Sequence, residues 1–595
     1  MTYIAPLDDM RFVLDEIAGL PGIAELPGYG DATPDLVDAV LGEAGRLATE
    51  VLAPLNHTGD REGLDFENGV VRTPKGFREA YRQYVESGWN SLPFDREYGG
   101  QGLPWTVSTA VTEMWNAANM SFALCPLLNQ GAVELLQTHG TDEQKRTYLT
   151  KLISGEWTGT MNLTEPQAGS DVGALKTKAE RSGDHYLITG QKIFITWGEH
   201  DCTDNIVHLV LARLPDAPAG TKGISLFIVP KFLVNADGSL GQRNDLRCVS
   251  LEHKLGINAS PTCVMAYGDD DGAIGYLVGE ENKGMACMFT MMNNARLSVG
   301  VQGAAIAERA YQQAAAFARE RVQSRAIGST NQKGDPIIRH PDVRRMLMTM
   351  RAATEAMRCL AYLNAAEIDR ANHHPDAQAR AKSAARAELL TPITKGWSTE
   401  MGCTVASLGV QIHGGMGFIE ETGAAQHYRD ARILPIYEGT TGIQALDLLS
   451  RKLLRDGGEA VRTLIAEMLE TLAEVAASDN QQVAALAAPT IEQVQLLADT
   501  TAALLKTGSD DMITAAAAAT PYLNLFGTVA GGWLLSKSAL IASGKLASGD
   551  GNAEFFDAKI KTARFYQANL LPQAGGYAAA VAGADSVMAL DEALF

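Results

Sequence analysis

The sequence predicts an α+β protein that is mainly α: an N-terminal helical domain, a central β domain, a C-terminal helical bundle and an additional helical C-terminal module. Three observations predict it. At 595 residues the chain is too long for one core. Its hydrophobic period changes from helical to strand-like near residue 160. The helical period then returns near Gly284 and lasts to the end. The expected domains are 1-159, 160-282, 283-454 and 455-595.

In the first domain, apolar residues recur at helical spacing in Leu36, Val37, Val40, Leu41, Ala44 and Leu47. Thr141 with Gln144 three positions on has the spacing of a capping box. In the second, His185–Ile195, Ile206–Leu211 and Ile224–Val229 are short runs rich in β-branched residues. Turn-forming segments separate them, so a mainly antiparallel sheet ending near Val278 is expected. In the third, Arg296 to Arg325 reads as one long helix, and Gly300, Gly303, Ala304 and Ala307 would let a neighbouring helix come close. The last module is Ala- and Leu-rich, with turns expected at Gly508–Asp511, Gly549–Asn552 and Pro572–Gly576.

The net charge of −20 argues against a nucleic-acid partner, whose phosphates need Lys and Arg. Seven scattered cysteines without a CxxC pair read as reduced thiols in a cytoplasmic protein with no metal site. The acidic start Asp8-Asp9 does not resemble a targeting peptide. The most apolar stretch, Leu523–Ala542, is broken by Asn524 and Lys537, so no membrane insertion is expected.

Two segments carry chemistry. The first is Met161-Asn162-Leu163-Thr164-Glu165-Pro166-Gln167-Ala168-Gly169-Ser170-Asp171, followed by Ile193-Phe194-Ile195-Thr196. Gly169 lets backbone approach a ligand, Thr164, Ser170 and Thr196 offer hydroxyls, and Phe194 a flat face. The second comprises Gln411-Ile412-His413-Gly414-Gly415-Met416-Gly417-Phe418 and then Pro435-Ile436-Tyr437-Glu438-Gly439-Thr440. Either alone reads as an ordinary loop.

Together, in this order, they resemble the acyl-CoA dehydrogenase family over roughly residues 35 to 455. Pro93–Leu103, His253-Lys254-Leu255-Gly256-Ile257 and Arg296 match further family motifs. The wording Asn293-Asn294-Ala295-Arg296-Leu297-Ser298, the length and the helical tail are most like its 3-methylmercaptopropionyl-CoA dehydrogenase branch. The resemblance implies FAD as cofactor and α,β-dehydrogenation of an acyl-CoA thioester, with 3-(methylthio)propanoyl-CoA as one expected substrate. Electrons would pass to an electron-transfer flavoprotein.

By the same resemblance Glu438 takes the α-proton, while its backbone N–H and a ribityl hydroxyl of FAD polarise the thioester oxygen. Met161, Leu163 and Thr164 would face the flavin. Phe194 would pack on its rings, with Thr196 near N5 and Ser170 near the pyrophosphate, and Gly169 would let backbone approach the cofactor. Thr440 would touch the same cofactor. Arg321, Gln411 and Gly415 would reach the FAD of a neighbouring subunit, implying a homodimer or homotetramer. Ser170, Asn293, Arg296, Tyr437 and Gly439 would bind substrate.

Departures from the pattern stand beside the matches. Phe194 replaces a common Trp. Trp197 replaces a common Asn and is expected at the substrate entrance, and Gly442 replaces a Gln used on the flavin. Ala295 occupies the place where some branches hold their base, leaving Glu438 without a rival. Met285, Met288, Met291 and Met292 read as flexible core filler. The alternatives are an acyl-CoA oxidase, a nucleic-acid-binding flavoprotein of the same fold, and a scaffold with a dead site. The second would need a basic C-terminal face, yet that region carries Glu459, Glu467, Glu470, Asp510, Asp511 and Asp591.

Overall fold

The structure is a computed structural model that describes residues 3–595. Helix α1 (Pro34–Leu47) starts where the Thr33 hydroxyl accepts from the Leu36 N–H, and it buries Val37, Leu41 and Ala44. Helices α2 (Phe77–Glu86), α3 (Trp105–Ala118) and α4 (Met120–His139) follow. The capping box forms at Thr141 and Gln144.

The sheet comprises β1 (Trp157–Asn162), β2 (Lys178–Ser182), β3 (His185–Thr196), β4 (Asn205–Ala212), β5 (Ser225–Pro230), β6 (Leu246–Leu251), β7 (Thr262–Tyr267) and β8 (Ala273–Val278). The strand order is β6-β7-β3-β8-β5-β4-β1, with β2 also paired to β3. Every pairing in this sheet is antiparallel except β1 with β4, where Trp157 faces Asn205. Strands β4 and β5 are buried throughout, which is why they read as continuous apolar runs rather than alternating ones.

The bundle is built on α5 (Gly284–Glu320), α6 (Pro341–His373) and α7 (Ala377–His413). Helix α5 starts twelve residues before the expected Arg296. It ends before Arg321, because the chain there pairs with residues 335–337 through Gln323 N–H to the Asp335 carbonyl and Ile337 N–H to the Arg321 carbonyl. A Cβ on Gly303 would lie 2.3 Å from the Ser398 carbonyl, so α5 and α7 cross in contact there, as the small residues predict. Short helices α8 (Ala424–Ala431) and α9 (Thr441–Asp447) follow.

The last module consists of α10 (Glu459–Ala476), α11 (Ala487–Asp510), α12 (Met512–Ser548), α13 (Ala553–Asn569) and α14 (Gln573–Ala582). Two turn expectations shift: Gly508 lies inside α11, and Pro572 caps α14, which contains Gly575 and Gly576. Helix α12 is long and apolar enough to cross a membrane by length and composition, contrary to the sequence reading. It lies mostly buried and shares one core with α6 and α7 through Trp533, Phe526, Met357 and Trp397.

Candidate functional site

Glu438 lies in the short connection between α8 and α9, half-buried, in a left-handed conformation with φ +53°. Gly439 continues the turn at φ +88°. Side chains that do this are uncommon, and the surroundings must hold them. Here the Lys395 ammonium on α7 donates to the Gly439 carbonyl at 2.6 Å, and the Gln444 amide donates to the Glu438 carbonyl at 3.0 Å. The Tyr437 hydroxyl donates to the Gln302 amide oxygen on α5, and Gln302 donates in turn to Asn116 at 2.9 Å. Thr440 caps α9 by accepting from the Ile443 N–H at 3.3 Å.

Burial pushes the Glu438 carboxyl up to about 7, while Arg296 and Lys395 pull it back only in part. Arg296, itself buried, pairs with Asp447 at 3.5 Å, and its Nε has no hydrogen-bond partner among the described residues. A carboxyl poised near neutrality beside two cations is suited to take up a proton. Ala295 is buried and contributes no competing carboxylate.

Asn293 and Arg296 line a cavity of about 490 Å³. Arg451, Lys452 and Arg455 also line it, and the Arg451 guanidinium lies 5.5 Å from the Phe289 ring centroid. Met288 and Met291 are fully buried in the core nearby, as filler would be.

The first motif forms a braced loop at the end of β1. The buried Lys192 ammonium donates to the Leu163 carbonyl at 3.0 Å and to Glu165 at 2.8 Å. Glu165 also accepts from the Thr177 hydroxyl and from the N–H groups of Lys176 and Thr177. Burial would raise the Glu165 carboxyl, but Lys192 and these donors outweigh it and hold it at about 2. The Ile193 N–H donates to the Thr164 carbonyl at 2.9 Å, joining the loop to β3.

On this frame Met161, Thr164 and Thr196 are half-buried, Leu163 is buried, and Ser170 and Gly169 are exposed. Phe194 is 57% exposed and held at φ +59°. A large aromatic presented to the outside in that conformation, with Thr196 two positions on and open space at Gly169, fits a flat ring system bearing a phosphate tail. Trp197, expected to shape the substrate entrance, faces inward. It is buried, and its Nε1–H donates to the Ser121 carbonyl at 3.1 Å, so it anchors α4 to the sheet.

Arg321, Gln411 and Gly415 are all exposed and gather at the other end of the bundle. There Phe317 stacks on His413 at 4.4 Å and brings the ends of α5 and α7 together. At about 1.5 Å per residue, α5 puts roughly 37 Å between Arg296 and Arg321. Arg321, Gln411 and Gly415 thus lie in a cluster far along the bundle from Arg296 and the Glu438 turn it faces. Around that cluster, Ile327 and Phe418 are 91% and 85% exposed.

Sequence reasoning missed Lys192, Gln302, Lys395 and Gln444. Lys395 stands in a run of mostly apolar residues, Leu389-Leu390-Thr391-Pro392-Ile393-Thr394-Lys395-Gly396-Trp397, and that setting was the available signal.

Comparison with known proteins gives a consistent picture. Family profiles match residues 37–156 as "Acyl-CoA dehydrogenase, N-terminal domain", 160–269 as its middle domain and 282–453 as its C-terminal domain. A fourth, "Acetyl-CoA dehydrogenase C-terminal like", matches residues 464–591. The 3-methylmercaptopropionyl-CoA dehydrogenase of Ruegeria pomeroyi is 52% identical, over 96% of each chain. A butyryl-CoA dehydrogenase of Syntrophomonas wolfei is 34% identical over 98% of this chain and 97% of its own. The solved acyl-CoA dehydrogenase complexed with FAD from Bacillus anthracis shares the fold, with a TM-score of 0.70 and 23% identity over 96% of this chain and 91% of that one.

Proposed function

The chain belongs to the acyl-CoA dehydrogenase family, and from that premise we propose that it removes the α-proton and β-hydride of an acyl-CoA thioester with Glu438 as the base. The observation that carries this reading is the Glu438 carboxyl, pushed up to about 7 by burial in a turn that two side chains pin.

FAD, when bound, supplies the acceptor for the β-hydride. Residues Met161, Leu163, Thr164, Phe194 and Thr196 would hold its ring system, Gly169 and Ser170 its phosphates, and Thr440 the side toward the base. The Glu438 carboxylate takes the proton from the thioester α-carbon. The Glu438 N–H donates to the thioester oxygen, where negative charge grows; one such donor is often worth about 3–4 kcal/mol. Arg296 and Lys395 oppose protonation of the base before substrate arrives. Asn293, Arg296 and Arg455 would suit the polar and anionic parts of coenzyme A, while Lys452 and Arg451 in the same lining pair with Glu388 and Asp447.

The roughly 37 Å between Arg296 and Arg321 supports a homo-oligomer. A cluster that far from the base would serve the FAD of a second subunit, and the exposed Ile327 and Phe418 beside it would be covered there.

For the acyl group, the name of the relative from Ruegeria pomeroyi supports 3-(methylthio)propanoyl-CoA, which would be oxidised to 3-(methylthio)acryloyl-CoA; the family resemblance implies an electron-transfer flavoprotein as acceptor. Rates with ferrocenium across an acyl-CoA series test the first part. A preference of more than about tenfold for butanoyl-CoA, a typical margin for a pocket that reads chain shape, would overturn it. Anaerobic reduction by the same thioester tests the second. Reoxidation of that reduced enzyme by oxygen at turnover rate, with peroxide formed, would make it an oxidase.

A further inference from the structure

The Glu438–Gly439 turn aims two groups at once, the carboxylate and the Glu438 N–H, and its backbone conformation is not one a glutamate keeps unaided. Lys395 reaches it from the middle of α7, 44 positions away in sequence, and is completely buried. The charged groups acting on Lys395 are Glu438, Arg296 and Glu400, and Glu400 already accepts from the Thr441 hydroxyl at 2.7 Å. The only hydrogen bond that Lys395 Nζ makes among the described residues is the one to the Gly439 carbonyl. Burying an ammonium is costly, and a side chain that only filled space at this position would not carry one.

The geometry points to Lys395 as the positioning residue of the catalytic turn: its ammonium fixes the Gly439 carbonyl and, through it, the direction of the Glu438 carboxylate and N–H. This rests on Glu438 being the base. Gln444 assists from α9 by holding the Glu438 carbonyl. The charge of Lys395 has a second effect, for it joins Arg296 in favouring the ionised form of Glu438. Burial pulls Lys395 itself down to about 8, with Glu438 pulling it the other way, so it is charged around neutrality. Proton abstraction is sensitive to such placement, and an error near 1 Å costs about a hundredfold.

Lys395→Met and Lys395→Gln, loaded with FAD, test this by the rate at which saturating 3-(methylthio)propanoyl-CoA bleaches the flavin at several pH values. Lys395→Met should slow bleaching about tenfold to a hundredfold, with half-saturation changed by less than about threefold. Its acid limb should move to higher pH by about one unit, because one cation facing Glu438 is gone. Lys395→Gln keeps a donor for the Gly439 carbonyl, so it should recover part of the rate and none of the limb shift. A wild-type rate with an unmoved limb in Lys395→Met overturns the inference. So does a slowed rate with an unmoved limb, which marks mere packing, and so does failure of both variants to load FAD, which makes Lys395 a folding residue. Glu438→Gln in the same assay separates the two levels. If it bleaches at the wild-type rate, the base assignment falls; if it is dead while Lys395→Met is normal, only the role of Lys395 falls.

Discussion

Two desolvated acids, Asp9 and Glu438, have opposite surroundings. Asp9, near the start of the chain, is bonded to Lys559 on α13 and to Arg358 on α6. Arg358 also meets Glu113 at 2.5 Å and Glu308 at 2.9 Å, and Lys559 meets Glu355 at 3.0 Å. Burial would raise the Asp9 carboxyl, but Lys559 and Arg358 overcome it and hold it well below the usual carboxylate range. Glu438 is desolvated too, yet Arg296 and Lys395 do not reverse its rise. The acid cluster joins the N-terminal segment, α3, α5, α6 and the last module, and each of its carboxylates is bonded to Arg358 or Lys559. The acid in the turn between α8 and α9 is left short of partners, which makes it reactive and also costs stability.

Glu438→Gln breaks the comparison on the reactive side. Turnover should fall by about 10²–10⁴-fold or more, with FAD uptake and acyl-CoA binding largely kept. Ala295→Glu added to that variant should restore some activity, since it places a carboxylate on α5 next to Arg296. If Glu438→Gln kept more than about a tenth of the wild-type bleaching rate, a loss far below that expected for a general base, its role would be refuted.

Arg358→Met breaks it on the structural side. Removing one partner of a buried charge network typically costs about 3–5 kcal/mol, because the carboxylates stay behind uncompensated. The thermal midpoint should drop accordingly, while the fraction still folded bleaches at the normal rate. A normal midpoint would show that the cluster does not hold the N-terminal segment and the last module together.

How much of this was legible follows the same division. Glu438, Phe194 and the loop at Thr164 announce themselves because their neighbours in sequence are their neighbours in space, so a motif survives in the string. The domain order was legible because burial imposes period on sequence. Asp9 and Lys559 lie 550 residues apart, and nothing local marks either as a partner. Lys192 looks like a solvated strand residue until packing buries it, and the apolar run around Lys395 hints at burial but not at which carbonyl it meets. Nothing local marks the partner of Trp197, whose Nε1–H meets the Ser121 carbonyl 76 positions away. The end of α5 was misjudged because the pairing of residues 321–323 with 335–337 has no periodic trace.

The pH dependence of activity sharpens the contrast. With substrate kcat/KM as the measure, the rate should rise through an acid limb near 7 as Glu438 loses its proton, falling about tenfold per unit below it. Asp9 should contribute nothing to that limb. An activity profile flat from acid to neutral pH would place the base elsewhere.

The smallest expected effect is on stability. The folded Glu438 carboxyl is raised to about 7, whereas an unfolded glutamate titrates at about 4.3. Between those values the folded chain holds a proton that the unfolded chain has lost, so stability declines as pH rises through the window, and the full cost is present above about 7. Asp9 behaves in reverse: its contribution is present above the unfolded value and is lost as pH falls toward its depressed folded one. Glu438→Gln cannot ionise and escapes the cost. It should therefore be more stable than the wild type at about pH 8, by about 1 kcal/mol once partial exposure is discounted, with a smaller gap at about pH 5. Denaturant unfolding of both proteins at equal FAD loading measures the gap. A gap of the same size at both pH values would mean that Glu438 is not desolvated in the folded protein, and the contrast with Asp9 would be lost.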